Sequence, residues 1–283
     1  MKIKNIISLA ILSVMTLSAC SDIAEDERFI KGELVGGSDE TEISYKNVLI
    51  EDFTGQNCLN CPLAMEELGK LHVSFGDKVV AVGIYGGPFG KTAAGKYYPL
   101  TTETGDYYAT KLNIQEQPNG YLNRKVLTSN YLTWAGTVVD MLSEQTGVSI
   151  ECENSYDPST RQASITVKAH SLNSIADTKL QVWLIEDNIV SLQRLPDSSV
   201  NKEFVHNHVF RLSVNDRDGE PVTLPQETDM EKTYSLTIDE TYKAGDLYVV
   251  AFIFTPDGVE QVVKAKLTPA TAEEACLPPT PHR

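Results

Sequence analysis

Two cysteines stand three positions apart where a predicted strand gives way to a predicted helix. Cys58 and Cys61 are followed directly by Pro62, and an apolar periodicity typical of a helix begins at Leu63. Proline suits the first turn of a helix, where a backbone N–H has no intrahelical acceptor. The free N–H groups and the dipole of a helix N-terminus stabilise a thiolate and lower the pKa of a cysteine. The pattern therefore indicates a cysteine pair placed for thiol chemistry.

The elements that must position this pair alternate between strand and helix. An apolar run of strand length, residues 47–53, precedes the cysteines, and a second buried strand is predicted over residues 78–85. A β-α-β order implies two parallel strands joined by a crossover helix. After a Gly- and Tyr-rich insertion, Gly86 to Thr104, the sequence predicts a short helix at 105–112 and strands entered at residues 117 and 125.

An amphipathic helix is expected to close this first half. Residues 131–145 have apolar side chains at helical spacing. Those expected to face inward are Leu132, Ala135, Val138, Val139 and Leu142.

The order of elements and the residues before the cysteines resemble thioredoxins. Thioredoxins carry Asp-Phe six and five residues before their first active-site cysteine, as Asp52 and Phe53 do here. The resemblance implies that Cys58 attacks, that Cys61 resolves the mixed disulfide, and that a buried Asp52 assists proton transfer. It also implies a cis-proline facing the pair, for which Pro118 is the candidate.

Three features depart from the thioredoxin pattern. Leu59 and Asn60 separate the cysteines, Asn57 replaces the usual aromatic residue, and the Gly86 to Thr104 insertion must fit near the site. The alternative interpretation is an inert disulfide on a scaffold that no longer catalyses. A zinc site is disfavoured, because no second cysteine pair or Cys-His element completes four ligands.

From Val148 onward the apolar residues recur at every second position. Seven candidate strands follow in about 120 residues, the number expected of an immunoglobulin-like β-sandwich. One of them runs from Phe204 to Leu212, and Trp183 lies in another as an expected core residue. The predicted fold class is therefore α/β plus all-β: a thioredoxin-like domain at 45–146 and an immunoglobulin-like β-sandwich at 147–268.

His206 and His208 are weak candidates for a metal site. Residues i and i+2 of a strand share a face, so both imidazoles could reach one ion. No third ligand has a clear claim, and a polar strand face is the simpler interpretation. No cofactor is expected.

The N-terminus has the three parts of an export signal. Lys2 and Lys4 precede a 12-residue apolar segment that is too short to span a bilayer, and Leu-Ser-Ala-Cys ends at Cys20. Residues 1–19 are therefore predicted to be a lipoprotein signal peptide, with Cys20 lipidated. An acidic flexible tether at 20–44 and a Pro-rich tail at 269–283 are expected to flank the folded part.

Removal of the signal leaves 22 basic and 39 acidic residues, a net charge of −17, which disfavours nucleic acid as a partner. Export also permits disulfides. Cys152 and Cys276 either form a second structural disulfide or remain thiols.

The lipobox, the run 51–62 and the run 205–211 together are similar to Bacteroidetes outer-membrane lipoproteins related to the 28-kilodalton outer membrane protein. This resemblance implies lipid anchoring at the outer membrane, in a leaflet left open. The leading hypothesis is thiol–disulfide exchange on envelope proteins. The alternative is a non-enzymatic surface adhesin, or an accessory subunit of an outer-membrane complex, with a structural disulfide.

Overall fold

The first half of the described chain is built around a strand–helix–strand unit that carries the cysteine pair. The computed structural model describes residues 44–90 and 98–270. The elements of this half are β1 (Ser44–Tyr45), β2 (Val48–Thr54), α1 (Cys61–Phe75), β3 (Val79–Tyr85), α2 (Glu103–Lys111), β4 (Asn119–Leu122), β5 (Val126–Thr128), α3 (Trp134–Leu142) and β6 (Gln145–Thr146).

The second half consists of strands. They are β7 (Val148–Asp157), β8 (Gln162–Ser171), β9 (Lys179–Glu186), β10 (Ile189–Arg194), β11 (Val200–His206), β12 (Val209–Ser213), β13 (Glu220–Pro221), β14 (Thr228–Thr237), β15 (Leu247–Thr255) and β16 (Gly258–Lys266). The described chain is therefore mainly β, and its α-helices lie in the first half. None of the described helices is long and apolar enough to cross a membrane.

One nine-stranded sheet runs through both halves. Its order is β16-β15-β9-β12-β3-β2-β4-β5, and β13 pairs with β9 at the side. The two halves meet where β12 lies parallel to β3, with Val209 opposite Gly83. The Gly83 N–H donates to the His208 carbonyl oxygen at 2.8 Å. A second sheet, β14-β8-β7, packs over the β9, β15 and β16 part of the large sheet.

Side-chain alternation along β2 divides the first half into two layers. Val48 and Ile50 pack with α1 and α3, whereas Leu49 and Phe53 pack with Trp183 of β9. Successive residues of a strand point to opposite faces of its sheet, so even-numbered residues of β2 face the helix that carries the cysteines. Trp183 is fully buried, as predicted.

Two details of the predicted elements are wrong. In the last helix of the first half, Leu132 and Val139 are 72% and 52% exposed, whereas Trp134 and Met141 are buried. A 3₁₀ turn at Tyr131–Thr133 precedes α3. Because a 3₁₀ turn has three residues rather than 3.6, the phase of the buried face changes there.

The predicted strand Phe204–Leu212 is interrupted. β11 ends at His206 and β12 begins at Val209, with His208 between them at a positive φ of 51°. The chain bends there without reversing: Val209 lies opposite Glu186 and His206 opposite Ile189, so one long hairpin continues from the large sheet into the two-stranded sheet. The predicted signal peptide, the lipidated Cys20, the tether up to residue 43 and Cys276 lie outside the described residues.

Candidate functional site

Cys58 and Cys61 form a disulfide at the first turn of α1. The Cys61 N–H donates to Cys58 Sγ at 3.1 Å, so an amide of the helix N-terminus points at the first sulfur. In the dithiol state the same amide would stabilise a Cys58 thiolate. The sequence placed this pair correctly at the strand-to-helix turn.

Pro118 lies beside the disulfide, and the peptide bond between Gln117 and Pro118 is cis. The Gln117 carbonyl oxygen is 3.3 Å from Cys58 Sγ. The Gln117 side chain donates to the carbonyl oxygens of Thr54 at 2.8 Å and Gly86 at 2.7 Å. The structure therefore brings Pro118 to Cys58, and Gln117 ties the ends of β2 and β3 to the same loop.

Asp52 is buried on the α1 face of β2 and is 1% exposed. Its Oδ1 atom has no hydrogen-bond partner within the described residues. Burial raises the pKa of Asp52 from 3.8 to about 7, because the ionised form loses its hydration. This carboxyl group can therefore take up or release a proton near neutral pH.

A second buried polar pair lies near Asp52. The Tyr85 hydroxyl and His206 Nδ1 are 2.8 Å apart. Burial, with the nearby Asp52 carboxylate as a smaller contribution, raises the pKa of Tyr85 well above 10. Burial also lowers the pKa of His206 from 6.5 to about 4, so this imidazole is neutral at physiological pH.

The disulfide is covered, although the attacking role that the thioredoxin resemblance implies for Cys58 requires a partner to reach it. Cys58 is only 3% exposed. The cover is the hairpin formed by β10 and β11, which pair with each other in a two-stranded sheet. Gln193 of this hairpin donates to the carbonyl oxygens of Cys58 at 2.9 Å and Gly55 at 3.2 Å.

Further contacts hold the loop before the cysteines. Gln56 donates to the Ser191 hydroxyl at 2.8 Å and to the Leu192 carbonyl oxygen at 2.9 Å. On the other side, the Asn57 N–H donates to the Phe89 carbonyl oxygen at 3.1 Å. A Cβ atom on Gly55 would lie 2.3 Å from that same oxygen, so only glycine allows this approach. The start of the insertion therefore does pack on the site, as expected.

The remaining candidate residues do not join this site as ligands. His206 ends β11 and contacts Tyr85, whereas the His208 N–H donates to Asp187 Oδ1 in the turn. The two histidines therefore do not share a strand face, and no group of metal-ligating side chains occurs among residues 44–90 and 98–270. Cys152 is partly buried and has no disulfide partner among the described residues, which do not include Cys276. Burial raises its pKa to about 12.

Three glutamines that shape the site were missed by the sequence analysis. Gln56, Gln117 and Gln193 are all buried and hydrogen-bonded to backbone around the disulfide. Glutamine has no distinctive spacing in the sequence that would reveal such a role. The hairpin could have been predicted from the sequence, since Pro196-Asp197-Ser198 is a turn motif between two short apolar stretches.

The fold and site together define a β-rich protein with a covered cysteine pair at the start of a helix. The model of the outer membrane protein family Omp28 matches residues 105–271. The chain therefore belongs to the Omp28 family, as the sequence resemblance indicated. The matched region includes Pro118 and the β10–β11 hairpin and begins after the cysteine pair.

Solved structures with a similar fold come from several proteins. HBP35 of Porphyromonas gingivalis is 14% identical with a TM-score of 0.65, over 84% of this chain and 81% of that one. A protein of Agrobacterium tumefaciens is 15% identical with a TM-score of 0.50, over 78% of this chain and 95% of that one.

A domain of the lipoprotein Omp28 from Porphyromonas gingivalis is 24% identical with a TM-score of 0.34, over 44% of this chain and 92% of that one. At these identities the likeness to HBP35 and to the Agrobacterium tumefaciens protein concerns the fold alone. No curated protein matches the sequence significantly.

Proposed function

We propose that this protein is an outer-membrane lipoprotein, anchored through Cys20, that exchanges disulfides with envelope proteins. A partner thiolate would attack Cys58 Sγ and expel Cys61 as a thiolate, which gives a mixed disulfide between Cys58 and the partner. A second partner thiolate would then attack the partner's sulfur in this mixed disulfide and release Cys58, so the two partner thiols leave as a disulfide and the Cys58–Cys61 pair gains their two electrons. Pro118 would lie against the incoming chain. In the reverse direction Cys58 would attack a partner disulfide, and Cys61 would displace the partner from the mixed disulfide.

The observation that carries this proposal is the state of Asp52. A buried carboxyl group without a full set of partners destabilises the fold whenever it ionises. Its pKa of about 7 suits a group that exchanges a proton with a cysteine at neutral pH. An inert disulfide has no need of such a group.

The small loop closed by the disulfide also argues against bracing as its purpose. The two cysteines are three residues apart in sequence. In the chain-entropy model a loop this short contributes only about 2 kcal/mol, less than a loop of 15 residues or more. Other cross-links would brace the fold more strongly.

Exchange requires the β10–β11 hairpin to move away from Cys58. Among the described strands, β10 and β11 pair only with each other, so no ladder bonds to the large sheet would break. The hydrogen bonds that would be lost include those of the Gln193 and Gln56 side chains and the backbone bond from the Arg194 N–H to the Gln56 carbonyl oxygen at 2.9 Å. The bonds of Ser191 with Tyr98 and of His206 with Tyr85 would also have to break. Val190 and Val205 of this hairpin are about half exposed and offer a partner protein an apolar contact.

Reduction of the disulfide by dithiothreitol tests the proposal. Full-length protein would be incubated at pH 7.5, quenched with a maleimide and mapped by mass, so that Cys58 and Cys61 are distinguished from other thiols. Replacing Gln193 by Ala removes the hydrogen bonds from the hairpin to the carbonyl oxygens of Cys58 and Gly55. This variant is expected to speed reduction at least tenfold. Replacing Asp52 by Asn should slow exchange at pH 7 in this faster background.

Gln181→Ala is the matched control for Gln193→Ala. Gln181 is also fully buried, and its side-chain nitrogen also donates to three acceptors, but these belong to Ser213, Asn215 and Asp216. It should leave the reduction rate unchanged. A disulfide that stays intact in native wild-type protein and in Gln193→Ala would rule out exchange.

We also propose the finer description of the fold that the sequence indicated. The order β3-β2-β4-β5, with α1 and α3 on one face, supports a thioredoxin-like unit over residues 45–146. The packing of the β14-β8-β7 sheet on β9, β15 and β16 supports an immunoglobulin-like sandwich over residues 147–268.

The second candidate function is a non-enzymatic adhesin or accessory subunit with a structural disulfide. The 3% exposure of Cys58 favours this alternative. Capture from intact membranes would decide between the two. Partners retained equally by wild type and by Cys58→Ser/Cys61→Ser would support the non-enzymatic role, whereas partners trapped through a disulfide to Cys58 would support exchange.

A further inference from the structure

A cavity of about 630 Å³ lies on the opposite face of the large sheet from the disulfide. It is bounded by α2, the β4–β5 turn, the start of β9, and the turns after β12 and β15. Its apolar walls include Tyr108, Leu112, Tyr121 and Phe254. Cavities of 300–1,000 Å³ with mainly apolar walls and a few polar groups are typical of small-molecule sites.

Arg124 and Glu51 form the inner polar wall of the cavity. The Arg124 side chain donates to both carboxylate oxygens of Glu51, at 3.1 and 3.0 Å. Its guanidinium lies 4.3 Å from the centre of the Phe254 ring and 4.8 Å from that of Phe252. The Asn123–Arg124 hairpin turn, with both residues at positive φ, directs Arg124 to this position. The two charges neutralise each other, and their hydrogen bonds hold both side chains in place in this wall.

Two other cations at the cavity form no ion pair within the described residues, although Asp177 and Asp218 also line it and Arg217 helps to lower the pKa of Asp218. The Arg217 guanidinium stacks on the Tyr107 ring at 3.9 Å, and Lys179 donates to the Asp218 carbonyl oxygen at 3.0 Å. Within the described residues, no carboxylate lies within ion-pairing distance of either group. Lys111, by contrast, is paired with Asp218. Two unpaired cations at one cavity are notable in a chain with a net charge of −15.

Apolar walls and unpaired cations together select an amphipathic ligand of negative charge. Aromatic side chains favour flat apolar groups, and Arg binds carboxylates and related acids through two parallel hydrogen bonds. We propose that this cavity binds a small organic anion. Its acidic group would contact Arg217 and Lys179, and its apolar body would lie against Tyr108, Tyr121 and Phe254. The site does not depend on exchange at Cys58.

Binding of two related fluorescent probes to the full chain tests this site. 1-Anilinonaphthalene-8-sulfonate is an aromatic anion, and N-phenyl-1-naphthylamine has the same ring system without the sulfonate. We expect the anionic probe to bind saturably at one site and at least tenfold more tightly than the neutral probe. The double variant Arg217→Gln/Lys179→Gln should weaken the anionic probe at least tenfold and the neutral probe less than twofold.

Arg194→Gln/Lys202→Gln is the matched control, because both side chains are exposed on the β10–β11 hairpin and the charge change is the same. It should leave both affinities unchanged. Leu112→Ala should weaken both probes alike, and near-ultraviolet circular dichroism would show that each variant is folded. Equal binding of the two probes, equal weakening by the control pair, or no saturable binding would each overturn the proposal.

Discussion

Glu51 and Asp52 are neighbours on β2, and both carboxyl groups are almost completely buried, at 2% and 1% exposure. Glu51 faces the cavity and is held by two hydrogen bonds from Arg124. Asp52 lies on the α1 face of the strand, and one of its oxygens has no partner within the described residues. The strand therefore places one neutralised acid and one poorly satisfied acid on its two faces.

The difference between the two carboxyl groups shows that the α1 face of β2 carries an acid whose charge can change near neutral pH. An acid with a bidentate arginine partner is stabilised as an anion and contributes to the architecture. Burial without such a partner favours the protonated form of an acid, so the stability of the fold then depends on pH. Proximity in sequence thus gives no guide to the role of a buried carboxyl group.

The largest effect should follow from removing the partner of Glu51. Arg124→Met is expected to lower the free energy of unfolding by about 3–5 kcal/mol, because it leaves a buried anion without a counter-ion. Urea denaturation at pH 7.5 measures this. Lys125→Met in the same turn, where Lys125 pairs with Glu144 at the surface, should change it by less than about 1 kcal/mol.

The double variant Glu51→Gln/Arg124→Met should recover most of that loss, since no charge remains buried. A loss for Arg124→Met no larger than that for Lys125→Met would remove the contrast between the two acids.

Asp52→Asn should stabilise the protein, and only above the ordinary pKa of the carboxyl group. The folded-state pKa of about 7 lies above the ordinary 3.8, so folding becomes less favourable as pH rises from 4 to 7. The gain from Asn should be absent at pH 4, grow through this window, and level off above pH 7 at no more than about 4 kcal/mol.

Denaturation of both proteins at a series of pH values measures this gain. The difference between the two proteins cancels the opposite contribution of His206. That contribution lowers the free energy of unfolding as pH falls below 6.5. A difference that does not vary with pH would mean that burial does not raise the pKa of Asp52.

The smallest effect should come from the disulfide itself. Cys58→Ser/Cys61→Ser is expected to reduce the free energy of unfolding by about 2 kcal/mol, because the closed loop is short. Thermal and urea denaturation of the oxidised wild type and the variant measure this. A loss far above this value would show that the disulfide braces the Asp52 face, and would favour the structural alternative.

The sequence predicted well those features that depend on local order. The turn from β2 into α1, the placement of Pro118 near Cys58 and the cis bond before it followed from short motifs and a resemblance. In each case neighbouring residues carry the information.

Features that depend on contacts distant in sequence were not predictable. The cover over Cys58 joins residue 193 to residues 55 and 58, and nothing in either segment indicates the other. The break at Asn207 and His208 was hidden because Phe204 and Phe210 on its two sides have the same phase of alternation. The pairing of Glu51 with Arg124 likewise arises only when β2 and the β4–β5 turn meet in the folded chain.

The parallel contact between β3 and β12 has a consequence for how this chain can be divided. Each strand supplies the only described neighbour that the other has on that side. A fragment ending near residue 146 would leave β3 without its pairing partner at Gly83, and the complementary fragment would leave β12 without its partner at Val209. Such unpaired strands are templates for self-association. Expression of either half by itself should therefore yield material that multimerises, unless the missing strand is provided by fusion or as a peptide.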